Sequence, residues 1–414
     1  MIPPLSKPKR KNPLLRTRQP LMPPGTRSRA ALGLTAAAAL GRFELQVCAD
    51  CGAVQYPPRE VCSRCLSDRL RWREQTGLGE LLATTTVHLS HDPFFRERVP
   101  WRLGMVRLDA GPTLVVHLHG GCAPPPGRVR VGARLDKSGQ GVLVAFPIDE
   151  VSNMADDRQL RDMTCDPKFR KVLVTDGKSE VAQAVVRAVI NAGADLVWVG
   201  YAEPWKRSSG FAALEALAPV TLVPLDLTDS RSVKQMAAEI GGKVDILINT
   251  AEVHRTQGIA SRNGVDTARA EMDINYFGLL RLAQEFGPVM RSRGADGQSS
   301  ATAWVNLLSI YALSNYPAHG TFSASKAAAF SLSQCLRAEM RPSGVRVINV
   351  FPGPIDDEWN QTLPPPKLSP AAVAKALVRA LADGIEDVYP GDVAEEWLAR
   401  WQESPKTLER ELSV

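Results

Sequence analysis

Four of the seven cysteines fall into two pairs, Cys48-Ala-Asp-Cys51 and Cys62-Ser-Arg-Cys65, separated by ten residues. Each CxxC places two thiolates on one tight turn, and four thiolates complete a tetrahedron around Zn²⁺. Gly52 follows the second sulfur, where the backbone has to reverse. A shell closed by four sulfurs has no position left for water, so the zinc expected here is structural. The remaining cysteines, Cys122, Cys165 and Cys335, are scattered. Four histidines, His88, His91, His117 and His119, form a second group of possible ligands. His117 and His119 would share one strand face, but no carboxylate or cysteine of ligand spacing joins them. They read as ordinary strand histidines.

These groups sit in a chain of 414 residues, too long for one ordinary core and suited to two domains. Its 44% hydrophobic and 23% charged content is that of a globular protein, and no run of eighteen apolar residues marks a membrane span. The net charge of +6 is local. Residues 1–42 hold nine Lys and Arg and no acid, which leaves the rest of the chain at −3. Seven prolines in the same stretch, among them Pro13 and Pro20, oppose a long helix and with it an amphipathic transit peptide. No secretory signal is visible, and a cytoplasmic location is expected, where paired cysteine spacing means metal before disulfide.

Beyond the cysteines, short strands are expected at 70–74, 77–87, 103–109, 113–119, 128–135 and 142–146, separated by turn signals such as Gly77-Leu-Gly79 and Gly111-Pro112. The count suits a Greek-key barrel of the OB type. The run from Pro13-Leu-Leu-Arg through Cys48-Ala-Asp-Cys-Gly and Pro57-Pro-Arg-Glu-Val-Cys62 to Thr84-Thr-Thr-Val-His88 resembles the acyl-CoA-associated zinc-ribbon/OB family. That resemblance implies partnership with a thiolase-type acyl-CoA enzyme and no chemistry of the module's own. Single-stranded nucleic acid is disfavoured, because the barrel strands lack interleaved aromatic and basic residues.

After a polar stretch at 151–168 an α/β alternation begins, with strands at Lys171-Val-Leu-Val-Thr175, Leu196–Val199, Val220–Pro224, Val244–Asn249, Ala303–Leu308 and Val345–Phe351, and helices at 181–190, 268–291 and 323–340. This is a doubly wound parallel sheet, an α/β Rossmann domain. Asp226 after the third strand, Asn249 ending the fourth, Asn275 in mid-helix, Ser309 ending the fifth, Phe322-Ser-Ala-Ser-Lys326 and Pro352-Gly-Pro354 make the domain resemble the short-chain dehydrogenase/reductase superfamily. The resemblance implies Ser309, Lys326 and Asn275 as catalytic positions, and Thr175, Gly177, Asp226, Asn249 and Lys326 as cofactor-binding ones. The family's proton-transferring tyrosine, four residues before the lysine and so on the same helical face, is here Phe322. A phenyl ring has no proton to transfer. Tyr311 and Tyr316 precede the helix, where a loop could fold one of them into the site.

The cofactor turn departs as well. Thr175-Asp176-Gly177-Lys178-Ser179-Glu180-Val181-Ala182 puts Asp176, Glu180 and Ala182 where the family has glycines, and Glu252 replaces another glycine after Asn249. A carboxylate 4 Å from a phosphate charge repels it by about 1 kcal/mol in water and about 4 kcal/mol at an effective dielectric of 20. Lys206 and Arg207 are a weak hint of NADP. NAD(P) binding is therefore expected to be weak or lost. The domains expected are an arm with a short helix (1–42), a zinc ribbon (43–68), an OB-fold barrel (69–150), a linker (151–168) and a Rossmann domain (169–414). The function expected is a non-catalytic or weakly catalytic subunit, homo- or hetero-oligomeric. It would hold a thiolase beside a 3-hydroxyacyl-CoA dehydrogenase step, with an enzyme of the same superfamily as a further partner. The alternative is an active NAD(P)-dependent oxidoreductase of an acyl-CoA or ketone.

Overall fold

The computed structural model describes residues 2–7, 20–203, 209–256, 258–261, 264–294 and 300–413. Most of the basic arm, residues 8–19, and the pair Lys206 and Arg207 lie outside them. The chain forms two compact units, one built mainly of residues 21–165 and the other mainly of residues 166–381 and 386–414. No helix among the described residues is long and apolar enough to cross a membrane.

In the first unit, helix α1 (Leu32–Ala39) precedes a three-stranded antiparallel sheet of β1 (Glu44–Cys48), β2 (Val54–Gln55) and β3 (Leu70–Glu74), ordered β2-β1-β3. Expected as part of the barrel, β3 pairs instead with β1, from Glu44 opposite Glu74 to Cys48 opposite Leu70. Alternation marks a segment as a strand but does not choose its partner. The barrel is closed by five strands: β4 (Leu78–Val87), β5 (Trp101–Leu108), β6 (Thr113–Leu118), β7 (Gly127–Leu135) and β8 (Gly141–Pro147), with a short helix α2 (Pro93–Arg96) between the first two. Their order, β4-β5-β6-β8-β7, with β6 and β8 parallel, is that of an OB-fold. Alternate residues such as Val129, Val131, Ala133 and Leu135 fill its interior. Residues 158–161 form a further short helix, α3 (Arg158–Arg161), whose Gln159 bonds both backbone groups of Arg102.

The second unit has a seven-stranded parallel sheet. Its members are β9 (Lys171–Val174), β10 (Leu196–Tyr201), β11 (Val220–Pro224), β12 (Ile246–Asn249), β13 (Ala303–Leu307), β14 (Arg346–Val350) and β15 (Asp387–Val388), ordered β11-β10-β9-β12-β13-β14-β15. The order reverses between β9 and β12, which is where such sheets open a crevice at their carboxyl ends. Strands β12, β13 and β14 are buried along their whole length, because helices cover both faces. The helices are α4 (Glu180–Asn191), α5 (Ser209–Glu215), α6 (Ser230–Ile240), α7 (Asp266–Met272), α8 (Leu279–Ser292), α9 (Gly320–Met340), α10 (Pro370–Asp383), α11 (Asp392–Glu403) and α12 (Pro405–Glu411). The single helix expected at 268–291 is divided between α7 and α8 by a π-helical turn, Asp273–Gly278. Such turns add one residue to the helix and re-aim its side chains, commonly at functional sites.

Gly77 enters the barrel with φ of +71°, and a Cβ there would lie 2.0 Å from the Val131 carbonyl oxygen. Gly111 also has a positive φ, but open space surrounds it. Gly77→Ala is expected to destabilise the chain by about 2–4 kcal/mol and Gly111→Ala by about 1 kcal/mol. Equal urea midpoints for the two variants would contradict the steric assignment.

Candidate functional site

The four ribbon cysteines converge. Cys48 and Cys65 sulfurs are 3.6 Å apart, as are those of Cys51 and Cys62, and all four lie within 4.8 Å of one another. Zn–S bonds of about 2.3 Å imply sulfur–sulfur edges of about 3.8 Å, so the cluster has the size of a tetrahedral zinc shell. Backbone amides prepare it: the Cys51 N–H pulls the Cys48 thiol down to about 7, and those of Cys65 and Arg64 lower the Cys62 thiol. Gly52 and Leu66, both at positive φ, turn the two knuckles. Beneath them Gln46 and Gln55, both buried, bond to each other and to the backbone of Arg59, Val61 and Ser63, and so fix the loop that carries Cys62. The strand histidines take no part. His117 Nδ1 accepts the Trp101 indole proton, and His119 bonds the Met154 carbonyl and the Gly121 amide.

In the second unit a crevice of about 1040 Å³ opens above β9 and β12. Thr175, Asp176, Asp226 and Glu252 line it. The strand tops are knitted together, Thr175 Oγ1 donating to Asn249 Oδ1 and accepting the Thr250 amide, while Thr250 Oγ1 donates to the Asp176 carbonyl. Gly177 is retained because a Cβ there would meet Val199 at 2.3 Å. The turn where the family binds a pyrophosphate is already bonded by the chain's own side chains. Asp176 Oδ1 accepts the Lys178 amide at 2.9 Å, and Ser179 Oγ caps α4 by accepting the Ala182 amide at 3.1 Å. Burial pushes the Asp176 carboxyl up. Lys178, the cation of this turn, is drawn to Glu203 at 2.8 Å. Asp226 is used in its own loop, accepting from the Thr228 amide and hydroxyl. Among the described residues the crevice is lined by seven carboxylates and two cations.

At the inner end lie Ser309, Lys326, Asn275 and Phe322. Lys326 is 2% exposed, donates to the Leu307 carbonyl at 3.0 Å and pairs with Glu252 at 2.5 Å. Phe322 is equally buried, with the Lys326 ammonium 5.4 Å from its ring centroid. Ser309 Oγ accepts the Tyr311 amide and caps a 3₁₀ turn. Asn275, on the π-helical turn, bonds both backbone groups of Val253 and the Ser325 hydroxyl. Two histidines that sequence reasoning passed over complete the cluster. His254 stacks on Phe322 at 3.8 Å and 14°, and its Nε2 hydrogen-bonds to His319 Nδ1. Desolvation holds both rings well below the usual histidine range, and for His254 the neighbouring His319 adds to it. Tyr311 is stacked on Tyr316 and set edge-on to Trp397, with its hydroxyl pushed up by burial. No hydrogen bond joins either tyrosine's hydroxyl to Lys326.

With this geometry in view, the comparisons with known proteins are specific. Residues 170–367 match the family described as short chain dehydrogenase. The rat dehydrogenase/reductase SDR family member 7C is 33% identical over 235 residues, covering 54% of this chain and 71% of the relative. The chain belongs to the short-chain dehydrogenase/reductase (SDR) family. A short-chain dehydrogenase from Burkholderia cenocepacia, solved in complex with NADP, is 32% identical with a TM-score of 0.52, covering 59% of this chain and 98% of that one. The short-chain dehydrogenase virD of Hypocrea virens is 31% identical over 198 residues, 47% of this chain and 63% of the relative. Ahead of the SDR unit, residues 35–71 match the rubredoxin-like zinc ribbon domain of ChsH2 and residues 72–146 its C-terminal OB-fold domain. The four-cysteine cluster of this ribbon supports a structural zinc.

What the SDR site can do chemically follows from its contacts. Lys326 is paired with Glu252, and Phe322 beside it carries no hydroxyl whose pKa it could lower. Glu252→Gln should leave a buried ammonium unpaired and cost about 2–4 kcal/mol, whereas Glu252→Gln with Lys326→Met should cost far less. Chemical denaturation of the three proteins measures this, and equal losses would refute the pairing. Acid sensitivity gives a second test. His254 and His319 are neutral when folded and titrate near 6.5 when unfolded, so only the unfolded chain takes up these protons as pH falls below 6.5. Their contribution is complete above pH 6.5 and declines on acidification, each by up to about 1.4 kcal/mol per pH unit. His254→Leu should flatten the fall in urea midpoint between pH 7 and 5.

Proposed function

We propose that this chain is an assembly subunit of acyl-CoA metabolism. In this reading its SDR unit keeps the family fold with little or none of the family's redox activity. The observation that carries the reading is the Lys326–Glu252 pair beneath Phe322. The lysine's charge is already matched from within the chain, and the group that would transfer a proton is missing. Removing a general acid/base typically costs about 10²- to 10⁴-fold in rate. The self-capped turn at Asp176 and Ser179 and the carboxylate-lined crevice point the same way for a dinucleotide.

The ribbon and OB-fold of the ChsH2 type support the acyl-CoA setting. The partners that fit are a thiolase-type enzyme at the first unit and an SDR, a second copy or an active one, at the second. Such a complex would bring a 3-oxoacyl-CoA thiolase next to a 3-hydroxyacyl-CoA dehydrogenase. A second reading, an NAD(P)-dependent oxidoreductase of an acyl-CoA or ketone, draws on the open crevice and on the NADP complex of the Burkholderia relative.

Two measurements decide between them. Fluorescence titration with NADH and NADPH should show no saturable binding at micromolar concentration, and a pull-down from the native host should recover a thiolase-type protein or another SDR. Micromolar binding with turnover would overturn the silent-subunit reading. Recovery of the chain alone would overturn the assembly.

A further inference from the structure

We propose that the barrel unit carries a binding site for an uncharged aliphatic carbonyl compound, in an apolar cavity floored by Trp101 and His117. The cavity has a volume of about 260 Å³. This exceeds the roughly 150 Å³ at which an apolar cavity stays dry and takes up benzene, and it approaches the roughly 300 Å³ of small-molecule sites. At about 30 Å³ per heavy atom it has room for about nine of them.

Its walls are fixed. Asp92 caps α2 by accepting the Phe94 and Phe95 amides, which sets both rings on one side of the cavity. Phe95 meets Phe94 at 5.1 Å and Trp101 at 5.2 Å, both edge to face. Arg98 lies 3.8 Å over the Phe94 ring and pairs with Asp162 at 3.1 Å. Val142 and Met163 supply the aliphatic lining.

Besides the charged residues Arg27, Asp136, Lys137 and Asp162, the lining includes one polar pair, Trp101 and His117. Trp101 Nε1 donates to His117 Nδ1 at 2.9 Å, so the imidazole proton resides on Nε2. Among the described residues the ring's hydrogen-bond partner is Trp101 alone, which leaves Nε2 without a protein acceptor. Burial, with Arg27 nearby, brings His117 down to about 4, so the ring is a neutral donor at ordinary pH. A carbonyl oxygen is the complementary acceptor. A carboxylate is not favoured, because the charges at the rim are matched among themselves. Arg27 faces Asp136 at 3.5 Å and bonds the Pro24 and Thr26 carbonyls, Asp162 is held by Arg98, and Lys137 is engaged as well.

The test is calorimetric titration of the full-length chain with 2-octanone and, separately, octanoate. The ketone should bind saturably and octanoate at least about tenfold more weakly. Val142→Phe, which fills the cavity, should abolish ketone binding, and Val142→Leu, the smaller insertion that serves where the Phe variant does not fold, should weaken it. His117→Phe should weaken it by about tenfold through loss of one hydrogen bond, with circular dichroism confirming the fold. Absence of saturable ketone binding, or unchanged binding in both Val142 variants, overturns the site. Octanoate binding as tightly as the ketone, or an unaffected His117→Phe protein, overturns the carbonyl assignment. None of these readouts depends on whether the SDR unit binds a dinucleotide.

Discussion

An ammonium group enclosed in protein must find a counter-charge, since leaving it unpaired costs several kcal/mol. In the SDR unit that ammonium is Lys326, and the answer is Glu252, one residue away from where the backbone of Val253 is held by Asn275. The arrangement around it follows from this pairing. The ring of Phe322 can lie beside the lysine because no phenol is needed to share its charge, and His254 can lie flat on that ring because both histidines stay neutral. The π-helical turn brings Asn275 inward to fasten the segment that carries Glu252. The inner end of the crevice is thus a packed, internally bonded cluster.

Much of this architecture could be read from residue order. The CxxC pairs announced the ribbon, and the buried apolar runs ending at Thr175, Asn249 and Ser309 gave the sheet and the positions over which its crevice opens. These features are local in sequence, so pattern suffices. What stayed hidden depends on partners far along the chain. The pairing of β3 with β1 and the contact of His254 with His319 across 65 residues are both of that kind. Glu252 was legible as a misplaced carboxylate. Its role as partner to Lys326 was not, because the turn after β12 has to bend before the two can meet.

The two units show the same principle in different materials. In the ribbon, backbone amides lower thiol pKa values ahead of the metal, and glutamine side chains replace solvent for a loop too short to form a sheet. In the SDR unit the N-terminus of α4 and the turn before it are satisfied by Asp176 and Ser179. The anion site inherent in a helix N-terminus is filled by side chains of the chain itself.

The Lys326–Glu252 pair has a thermodynamic consequence. A protein that relies on a bound anion to match a buried cation gains stability by mass action, as the logarithm of ligand concentration over its dissociation constant. A counter-ion attached through the backbone has no such constant. The matching of Lys326 is therefore independent of the supply of any diffusible anion.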